Sequence, residues 1–385
     1  MNLNNNFVIP DGLLANSGVS EDITILIGEN GSGKSTLLNE IAKHFIDNHR
    51  TKVIAIANTI HDKFNVKSKR FDVLKASTGK TIATKTLKNA LRLLAGADNK
   101  RFNDIAAALL YVNLDPVVGI RVKGIHRNYK MIVEESNLTN KAKDDIIHCL
   151  SQFLKESSYE QDVLRINLHH NSFYDLMDSF LITILLYEKN LKELKLAKSI
   201  DVFLCRKRKM LPVNSASSGE LTMITSLLYI TQIISRDSVI LIDEPENSLH
   251  PKWQTEYVKL LIDHFHRYEP KIIIATHSPL IINAAEITSN GVRVYKGKEG
   301  RFVNQNTDSQ NVEEIYQDCF GVTTPENRYL SQSIVNKMNQ LAAGNISFQT
   351  FQDIINEFKE SSYSDDQKEV LEGIIEMGQK IINRR

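Results

Sequence analysis

Two adjacent carboxylates, Asp243 and Glu244, follow four apolar residues at positions 239–242. An apolar run of this kind predicts a buried strand, with both carboxylates at its C-terminal end. Neighbouring carboxylates beside a buried sheet repel each other, and a bound cation is the simplest way to keep both charged. Mg²⁺ bound together with a nucleotide phosphate meets this requirement. Taken alone, the segment is equally compatible with a strand that ends in an acidic turn.

The segment at positions 28–36 supplies groups that bind phosphates. It reads Gly-Glu-Asn-Gly-Ser-Gly-Lys-Ser-Thr and lies between a predicted strand and a predicted helix, as a phosphate-binding loop must. Its glycines let backbone N–H groups turn toward phosphate oxygens, and the helix start adds partial positive charge. We therefore predict that the following residues bind a nucleotide: Glu29, Asn30, Gly31, Ser32, Gly33, Lys34, Ser35 and Thr36.

Two further apolar strands are predicted at positions 53–57 and 271–276, and they end next to Asn58 and His277. Ligands collect at the C-terminal ends of strands in open α/β sheets, which favours a binding role for His277. A satisfied core histidine is the alternative.

A cluster of serine and glycine at positions 215–220 lies between a predicted hairpin, with strands at 200–204 and 210–214, and a predicted helix at 221–234. A helix start presents unsatisfied N–H groups to solvent or to an anion. One N-cap serine explains part of this cluster, and its density favours an additional role.

A basic stretch runs from Lys63 to Arg92, with nine Lys or Arg residues against one acid, Asp72. Most such stretches are solvated faces. The alternative is a nucleic-acid footprint, for which the candidates are Lys67, Lys69 and Arg70.

The composition is that of a soluble globular protein: 385 residues, of which 42% are hydrophobic and 24% charged, with a net charge of +1. The three cysteines form no Cys-x-x-Cys pair, which favours free thiols over disulfides or a zinc site. No signal peptide and no apolar run of membrane-spanning length is predicted, so we expect a cytoplasmic location.

Helical spacing of apolar residues predicts mainly helices from about residue 95 to 195, without the sustained heptads of a long coiled coil. The polar chain from about residue 310 onward is also predicted to be helical. The expected helices there lie at 311–320, 326–341, 348–358 and 367–381.

Five elements occur in one order: 28–36, Asn58, 217–220, 243–250 and His277. Together they resemble the Walker A loop, lid, signature, Walker B with D-loop, and switch histidine of an ABC-class ATPase head. The sequence motifs DEPENSLHP, SSGE and ATHSP are similar to those of AAA-type ATPases of the OLD and RecF-like groups. The segment IAIANTIHDKF, followed by basic residues, is similar to ATPase subunits of bacterial anti-phage systems of the Septu type, including those attached to retrons.

This resemblance implies an α/β fold: a P-loop ATPase head with a mixed sheet and flanking helices, a largely helical insertion and a helical C-terminal tail. The expected segments are an ATPase lobe with Walker A (1–60), a basic and then helical insertion (61–198), a part with the signature, Walker B and switch histidine (199–300), and a helical C-terminal region (301–385).

The resemblance also implies an ATP site shared by two copies of the chain, with Mg²⁺. The catalytic residues would be Lys34, Glu244 and His277. The metal ligands would be Ser35, Asp243 and Asn58. The signature residues that reach the ATP of the partner copy would be Ser217, Ser218, Gly219 and Glu220. The D-loop would be Asn247, Ser248 and Leu249.

The chain departs from the ABC pattern at three positions. Asn58 stands where the lid usually has glutamine, His250 stands where many D-loops have aspartate, and Ser218 replaces a signature glycine. The role of Asn58 therefore stays open.

OLD nucleases carry a TOPRIM domain after the head, which needs an Asp-x-Asp motif, and none follows His277. We therefore predict an ATPase that regulates a bacterial defence complex as a homodimer and controls a separate effector nuclease, such as an HNH protein. A reverse transcriptase with its DNA and RNA is a further expected partner, and no membrane is expected. The alternative is a DNA-repair ATPase that clamps DNA directly.

Overall fold

The computed structural model describes residues 9–15, 22–59, 62–75, 80–95, 99–159, 162–168, 180–289, 291–305, 328–360 and 365–383. Contacts divide the chain into two compact units that interleave along the sequence. Unit 1 comprises Met1–Ile41, Pro251–Lys259 and Ile273–Arg385, and unit 2 comprises Ala42–His250 and Leu260–Ile272. The four consecutive segments expected from the sequence stay a prediction.

The secondary structure alternates strands and helices. The strands are β1 (Asp22–Gly28), β2 (Val53–Ala57), β3 (Phe71–Lys75), β4 (Asp115–Lys123), β5 (Leu164–Asn167), β6 (Ser199–Arg206), β7 (Lys209–Pro212), β8 (Val239–Asp243), β9 (Lys271–Ala275), β10 (Arg293–Lys298) and β11 (Arg301–Gln305). The helices are α1 (Lys34–Asn48), α2 (Lys80–Leu93), α3 (Asn99–Tyr111), α4 (Tyr129–Glu134), α5 (Asn140–Glu156), α6 (Phe180–Leu186), α7 (Glu188–Glu193), α8 (Ser218–Ile233), α9 (Pro251–Phe265), α10 (Pro279–Thr288), α11 (Arg328–Ala343), α12 (Phe348–Glu360) and α13 (Asp365–Asn383).

Unit 1 is built around β1, a strand in which every residue is buried. A strand whose side chains are buried on both faces is typical of a parallel sheet that is covered on both sides. β1 pairs in parallel with β10, from Thr24 opposite Arg293 to Gly28 opposite Gly297. β10 continues into an antiparallel hairpin with β11. On the other side of β1, the backbone N–H of Thr276, just after β9, donates to the carbonyl of Leu26 over 3.0 Å.

Three helices, α11 to α13, form a separate core within unit 1, around Leu341, Phe351, Ile355 and Leu371. The helices predicted at 326–341, 348–358 and 367–381 are therefore confirmed. The helix predicted at 311–320 lies outside the described residues. Throughout the described part of the chain, no helix combines the length and the apolar character needed to cross a membrane.

Unit 2 contains the parallel strands β8, β2 and β3, in that spatial order. Both β2 and β8 are fully buried, as their continuous Val and Ile runs predict. Their register pairs Val53 with Val239 and Ala57 with Asp243. The strands therefore end together, which brings the residue after β2 beside the carboxylate end of β8.

A second sheet in unit 2 is antiparallel, in the order β5-β4-β6-β7. The predicted hairpin is confirmed as β6 and β7. The described part of 95–195 is mainly helical, as predicted, with α3 to α7, but it also contains the strands β4 and β5, which the helical spacing did not predict. β4 packs closely at Gly119, where a Cβ would lie 2.4 Å from Cγ1 of Val163 and 2.9 Å from Sδ of Met210. The predicted α/β fold class, with a mixed sheet, flanking helices and a helical C-terminal region, is confirmed.

Candidate functional site

The phosphate-binding loop joins β1 to α1 and depends on three glycines. Gly28, Gly31 and Gly33 have φ of +143°, +84° and +98°, a region that other L-residues rarely occupy. A Cβ on Gly28 would also lie 2.5 Å from the carbonyl oxygen of Gly297 and 2.8 Å from Oγ of Ser32. The loop therefore has the curled backbone that its sequence predicts, and position 28 has room for glycine alone.

The turn between β10 and β11 supports this loop from the C-terminal part of unit 1. The backbone N–H of Gly300 donates to the carbonyl of Ser32 over 3.1 Å, and Ser32 N–H donates to the carbonyl of Glu29 over 3.1 Å. Sequence reasoning missed this support. The Gly-Lys-Glu-Gly turn signal at positions 297–300 was the available clue.

Lys34, the first residue of α1, is buried with 5% of its surface exposed. Its Nζ donates to the carbonyl of Gly28 over 2.9 Å and to that of Glu29 over 3.2 Å. The same atom lies 2.8 Å from Nε2 of His277. Three acceptors thus hold the ammonium group inside the loop where a phosphate would meet it.

His277 is positioned by the short segment between β9 and α10. Ser278 caps α10, because its Oγ accepts from the N–H of Ile281, and the same hydroxyl donates to Oε1 of Gln254 over 2.6 Å. Backbone N–H of Ser278 donates to Oγ1 of Thr276 over 2.9 Å. The segment on either side of the histidine is therefore hydrogen-bonded to its surroundings, and the imidazole has a defined place beside Lys34.

Two observations test whether this loop fits a nucleotide phosphate. Oγ of Ser32 is buried and has no hydrogen-bond partner among the described residues, so a donor is left inside the loop. A Cβ on Gly31 would meet nothing within 4 Å, so the outer face of the loop is open. A buried lysine, a spare hydroxyl and the amides at the start of α1 together fit an anion, with Ser35 and Thr36 half-buried beside them.

In unit 2, β8 ends in Asp243, which is completely buried. The backbone N–H of Asn58 donates to the carbonyl of Asp243 over 3.1 Å, so the Asn58 backbone adjoins the carboxylate end of β8. Among the described residues, no group of three His, Cys, Asp or Glu side chains could hold a metal. That finding is compatible with Mg²⁺, which uses one or two carboxylates together with substrate phosphates and water rather than a protein cage.

Glu244 adopts an unusual backbone conformation for a residue with a side chain, with φ of 49° and ψ of 59°. This left-handed conformation costs about 1–2 kcal/mol, and strained residues of this kind cluster at functional sites. Its Oε2 accepts a hydrogen bond from Nδ2 of Asn247 over 2.8 Å. Of the other two D-loop candidates, Leu249 is buried, and the side chain of Ser248 lies outside the described part.

The signature segment begins α8 with a capping box. Oγ of Ser217 accepts from the N–H of Glu220 over 3.3 Å, and Oε2 of Glu220 accepts from the N–H of Ser217 over 2.8 Å. Arg206, which sequence reasoning missed, donates to Oε1 of Glu220 over 2.6 Å. The side chains of Ser217 and Glu220 thus bond locally, whereas Ser218 is exposed and Gly219 is buried.

The basic stretch has two different parts. Lys67, Lys69 and Arg70 are exposed in the loop before β3. In contrast, Lys75 forms an ion pair with Asp62, and both Lys88 and Arg92 pair with Glu188. The view of the whole stretch as a solvated face is therefore wrong for Lys88 and Arg92, whereas Lys85 is exposed.

A protein-family model described as "AAA domain, putative AbiEii toxin, Type IV TA system" matches residues 46–283 of the chain. The match includes Asn58, the signature segment, the carboxylate strand and His277, and it begins after the phosphate-binding loop.

Among curated proteins, the chain is similar to protein ea59 of Escherichia phage lambda, with 23% identity over 296 residues. The alignment covers 71% of this chain and 49% of ea59, so the chain spans about half the length of that relative. Among solved structures, an Smc head bound to the winged-helix domain of ScpA has a TM-score of 0.29 and 11% identity, and covers 75% of this chain and 91% of that chain. A Pyrococcus furiosus Smc head with an extended coiled coil gives 0.30 and 11%, with 74% and 90% covered.

Proposed function

The chain belongs to the AAA domain family whose model matches residues 46–283, and on that basis we propose that it binds ATP with Mg²⁺ and hydrolyses it. The observation that carries the proposal is the glycine loop with the buried Lys34, whose Nζ lies 2.8 Å from Nε2 of His277. A loop of this form presents backbone amides and one fixed cation to a polyphosphate.

Each residue has a chemical task in this proposal. The loop amides and Lys34 bind the phosphates, and Ser35 and Asp243, with Asn58, hold Mg²⁺, which neutralises phosphate charge when it is bound. Glu244 orients or deprotonates the attacking water, a contribution of roughly 10²–10⁴-fold in rate. His277 contacts the γ-phosphate and registers its loss. Positioning and charge stabilisation do most of the work of phosphoryl transfer, which suits a site made from loops and strand ends.

We further propose that the functional unit is a homodimer in which the signature segment of one copy contacts the ATP of the other. The exposed Ser218 and the amides at the start of α8 are the groups that can serve this contact, because the side chains of Ser217 and Glu220 are held by the capping box. The D-loop residues 247–249 would lie at the seam between copies.

The test is ATP binding and hydrolysis by the full chain. Lys34→Ala removes a buried charged donor, so we expect ATP affinity to fall by about tenfold or more and phosphate release to stop. Lys43→Ala, which removes a half-buried lysine from the same helix, serves as the matched control and should bind and hydrolyse ATP normally. Unchanged turnover in the Lys34 variant would overturn the proposal.

For the biological role, we propose that the chain is the regulatory ATPase of a bacterial defence complex with a separate effector nuclease, of the HNH type or linked to a reverse transcriptase. The description of the matching family names a toxin–antitoxin system, which supports a component that acts with a second polypeptide. Affinity purification with a co-expressed HNH nuclease provides the test. Recovery of the nuclease with wild-type protein supports the role, and its absence with both wild-type protein and Glu244→Gln counts against it.

A second candidate function, direct clamping of DNA, is favoured by the exposure of Lys67, Lys69 and Arg70. DNA binding through phosphates depends steeply on salt, with a slope of about −0.9 per phosphate contact. Replacing all three residues by Ala should reduce that slope by the equivalent of about two to three phosphate contacts, roughly one per cation. The triple variant of Lys130, Lys141 and Lys155, also exposed, is the control. Equal slopes in both variants would exclude this surface.

A further inference from the structure

A cavity of about 530 Å³ lies in unit 2, lined by residues of α2, α7 and the segment that precedes α8. None of its lining residues belongs to the phosphate-binding loop. The charged side chains that line it are five cations and one carboxylate: Lys85, Lys88, Arg92, Lys189, Lys192 and Glu188. Such a concentration of one charge around a concave space requires an explanation.

The single carboxylate, Glu188, is buried and accepts hydrogen bonds from three of these cations. Its Oε1 accepts from Nζ of Lys88 over 2.7 Å and from Nζ of Lys192 over 2.6 Å, and its Oε2 accepts from Nη2 of Arg92 over 2.7 Å. Lys88 also donates to the carbonyl of Ile200, and Arg92 to that of Leu185. These contacts fix Lys88 and Arg92 in place, as a preformed binding site requires.

One carboxylate cannot neutralise three cations. Burial lowers the pKa of Lys88, and the charges of Lys192 and Arg92 lower it further, although Glu188 acts in the opposite direction. Against the effect of its own burial, the hydrogen bonds from Lys192 and Lys88 lower the pKa of Glu188 below its usual value. Counted as formal charges, three cations on one carboxylate leave the network with surplus positive charge.

Two more cations stand at the cavity with little to neutralise them. Lys189 is 3.7 Å from Glu193, but both side chains are strongly exposed, and such a pair is worth little in water. Lys85 is also exposed. Among the neutral lining residues, the hydroxyls of Thr81 and Thr84 and the amide of Asn214 add donors without adding negative charge.

We propose that this cavity binds a small ligand that carries several phosphate groups, such as a nucleotide, at a second site of the chain. The volume lies within the roughly 300–1,000 Å³ of small-molecule sites. Several cations around one concave space match a ligand with several phosphate groups better than a ligand with one carboxylate group. A fixed guanidinium such as that of Arg92 also suits phosphate oxygens. A concave site of this size also fits a small ligand better than a nucleic-acid duplex, which needs an extended surface.

The experiment uses the full chain with Lys34→Ala, so that binding at the phosphate loop is suppressed. Its probes are inorganic tripolyphosphate and ATP, measured by calorimetry. Lys85→Ala with Lys189→Ala changes two exposed cavity cations and leaves the buried network intact. We expect one saturable site in the Lys34 variant, whose affinity falls about tenfold when the two cavity lysines are removed. Lys130→Ala with Lys141→Ala, two exposed lysines of α4 and α5, should leave the affinity unchanged.

Two results would overturn the proposal. The first is no saturable binding of either probe to the Lys34 variant, or equal affinities in the two double variants. The second is binding of a single-stranded oligonucleotide that depends on Lys85 and Lys189 while neither small probe binds, since that result assigns the cations to a nucleic-acid surface. Thermal unfolding midpoints that match between the double variants confirm that the comparison is made on folded protein. Because ATP hydrolysis is not measured, failure here is distinct from failure of the ATPase proposal.

Discussion

Nζ of Lys34 lies 2.8 Å from Nε2 of His277, although 243 positions separate the two residues in the chain. An ammonium group has donors only, so Nε2 of His277 is the acceptor in this contact. Lys34 is placed by the start of α1, and His277 by the segment after β9. The contact joins the first and the last of the five sequence elements that resemble an ATPase head, within one unit of the structure.

The first prediction concerns His277. His277→Ala removes the side chain beside Lys34 and, in the proposed mechanism, a contact to the γ-phosphate. We expect steady-state phosphate release to fall by about 10²-fold, as for the loss of one charge-stabilising donor, while ATP binding by fluorescence titration changes little. His266→Ala, a histidine in a short helical turn of unit 2, is the control. Normal turnover by the His277 variant would remove this residue from the mechanism.

The second prediction concerns Glu244. Glu244→Gln keeps the side-chain oxygen that accepts from Asn247 and removes the basic carboxylate. We expect hydrolysis to fall by about 10²–10⁴-fold while ATP binding persists, so that ATP-bound dimers accumulate and are detected by light scattering. Glu246→Gln, two residues later in the same turn, should hydrolyse ATP normally. Substantial turnover by the Glu244 variant would contradict the assigned role.

The third prediction separates two neighbouring serines. Ser217→Ala breaks the capping box of α8 and should lower the free energy of unfolding by about 1 kcal/mol. Ser218→Ala removes an exposed hydroxyl, so it should leave stability unchanged and slow hydrolysis if it reaches the ATP of the partner copy. Denaturant unfolding and phosphate release are measured on both variants. A Ser218 variant with wild-type hydrolysis would show that this hydroxyl makes no contact with ATP.

The fourth prediction concerns acid stability. Burial lowers the pKa of His264 below its usual 6.5. His264 therefore takes up a proton at a higher pH in the unfolded chain than in the folded chain. The free energy of unfolding consequently falls as the pH drops below about 6.5. We expect His264→Gln to lose less stability than wild type between pH 7.5 and 5, measured by denaturant unfolding at each pH. The exposed His148→Gln should follow wild type. Identical pH dependence in the His264 variant and wild type would contradict the prediction.

The elements with strong local signals could be predicted from the sequence. Composition and spacing predict the glycine loop, the strands β2, β8 and β9, and the hairpin of β6 and β7. The three strands are recognisable because parallel strands buried on both faces need continuous apolar runs. The left-handed conformation of Glu244 carries no such signal, because a glutamate has no intrinsic preference for a positive φ, unlike glycine or asparagine.

Other features depend on partners that are distant in the sequence. β4 was missed because its Val and Ile residues lie in a region of helical spacing, and its pairing with β6 is set by tertiary contacts. Lys192 is only four residues from Glu188, but Lys88 and Arg92 reach that carboxylate through the fold alone. Likewise, no local pattern links Ser32 to Gly300. Long-range pairing of this kind is decided by packing rather than by periodicity.

The support of the phosphate loop by Gly300 has a consequence for biosynthesis. The loop is synthesised well before the residues that support it, because β1 pairs with β10 and the N–H of Thr276 donates to the carbonyl of Leu26. A nascent chain consequently carries β1 without these neighbours until they have been synthesised, with its apolar edge exposed. The hydrogen bond from Gly300 to Ser32 can form only after residue 300 has been added, so this support of the loop is completed long after the loop itself has been synthesised.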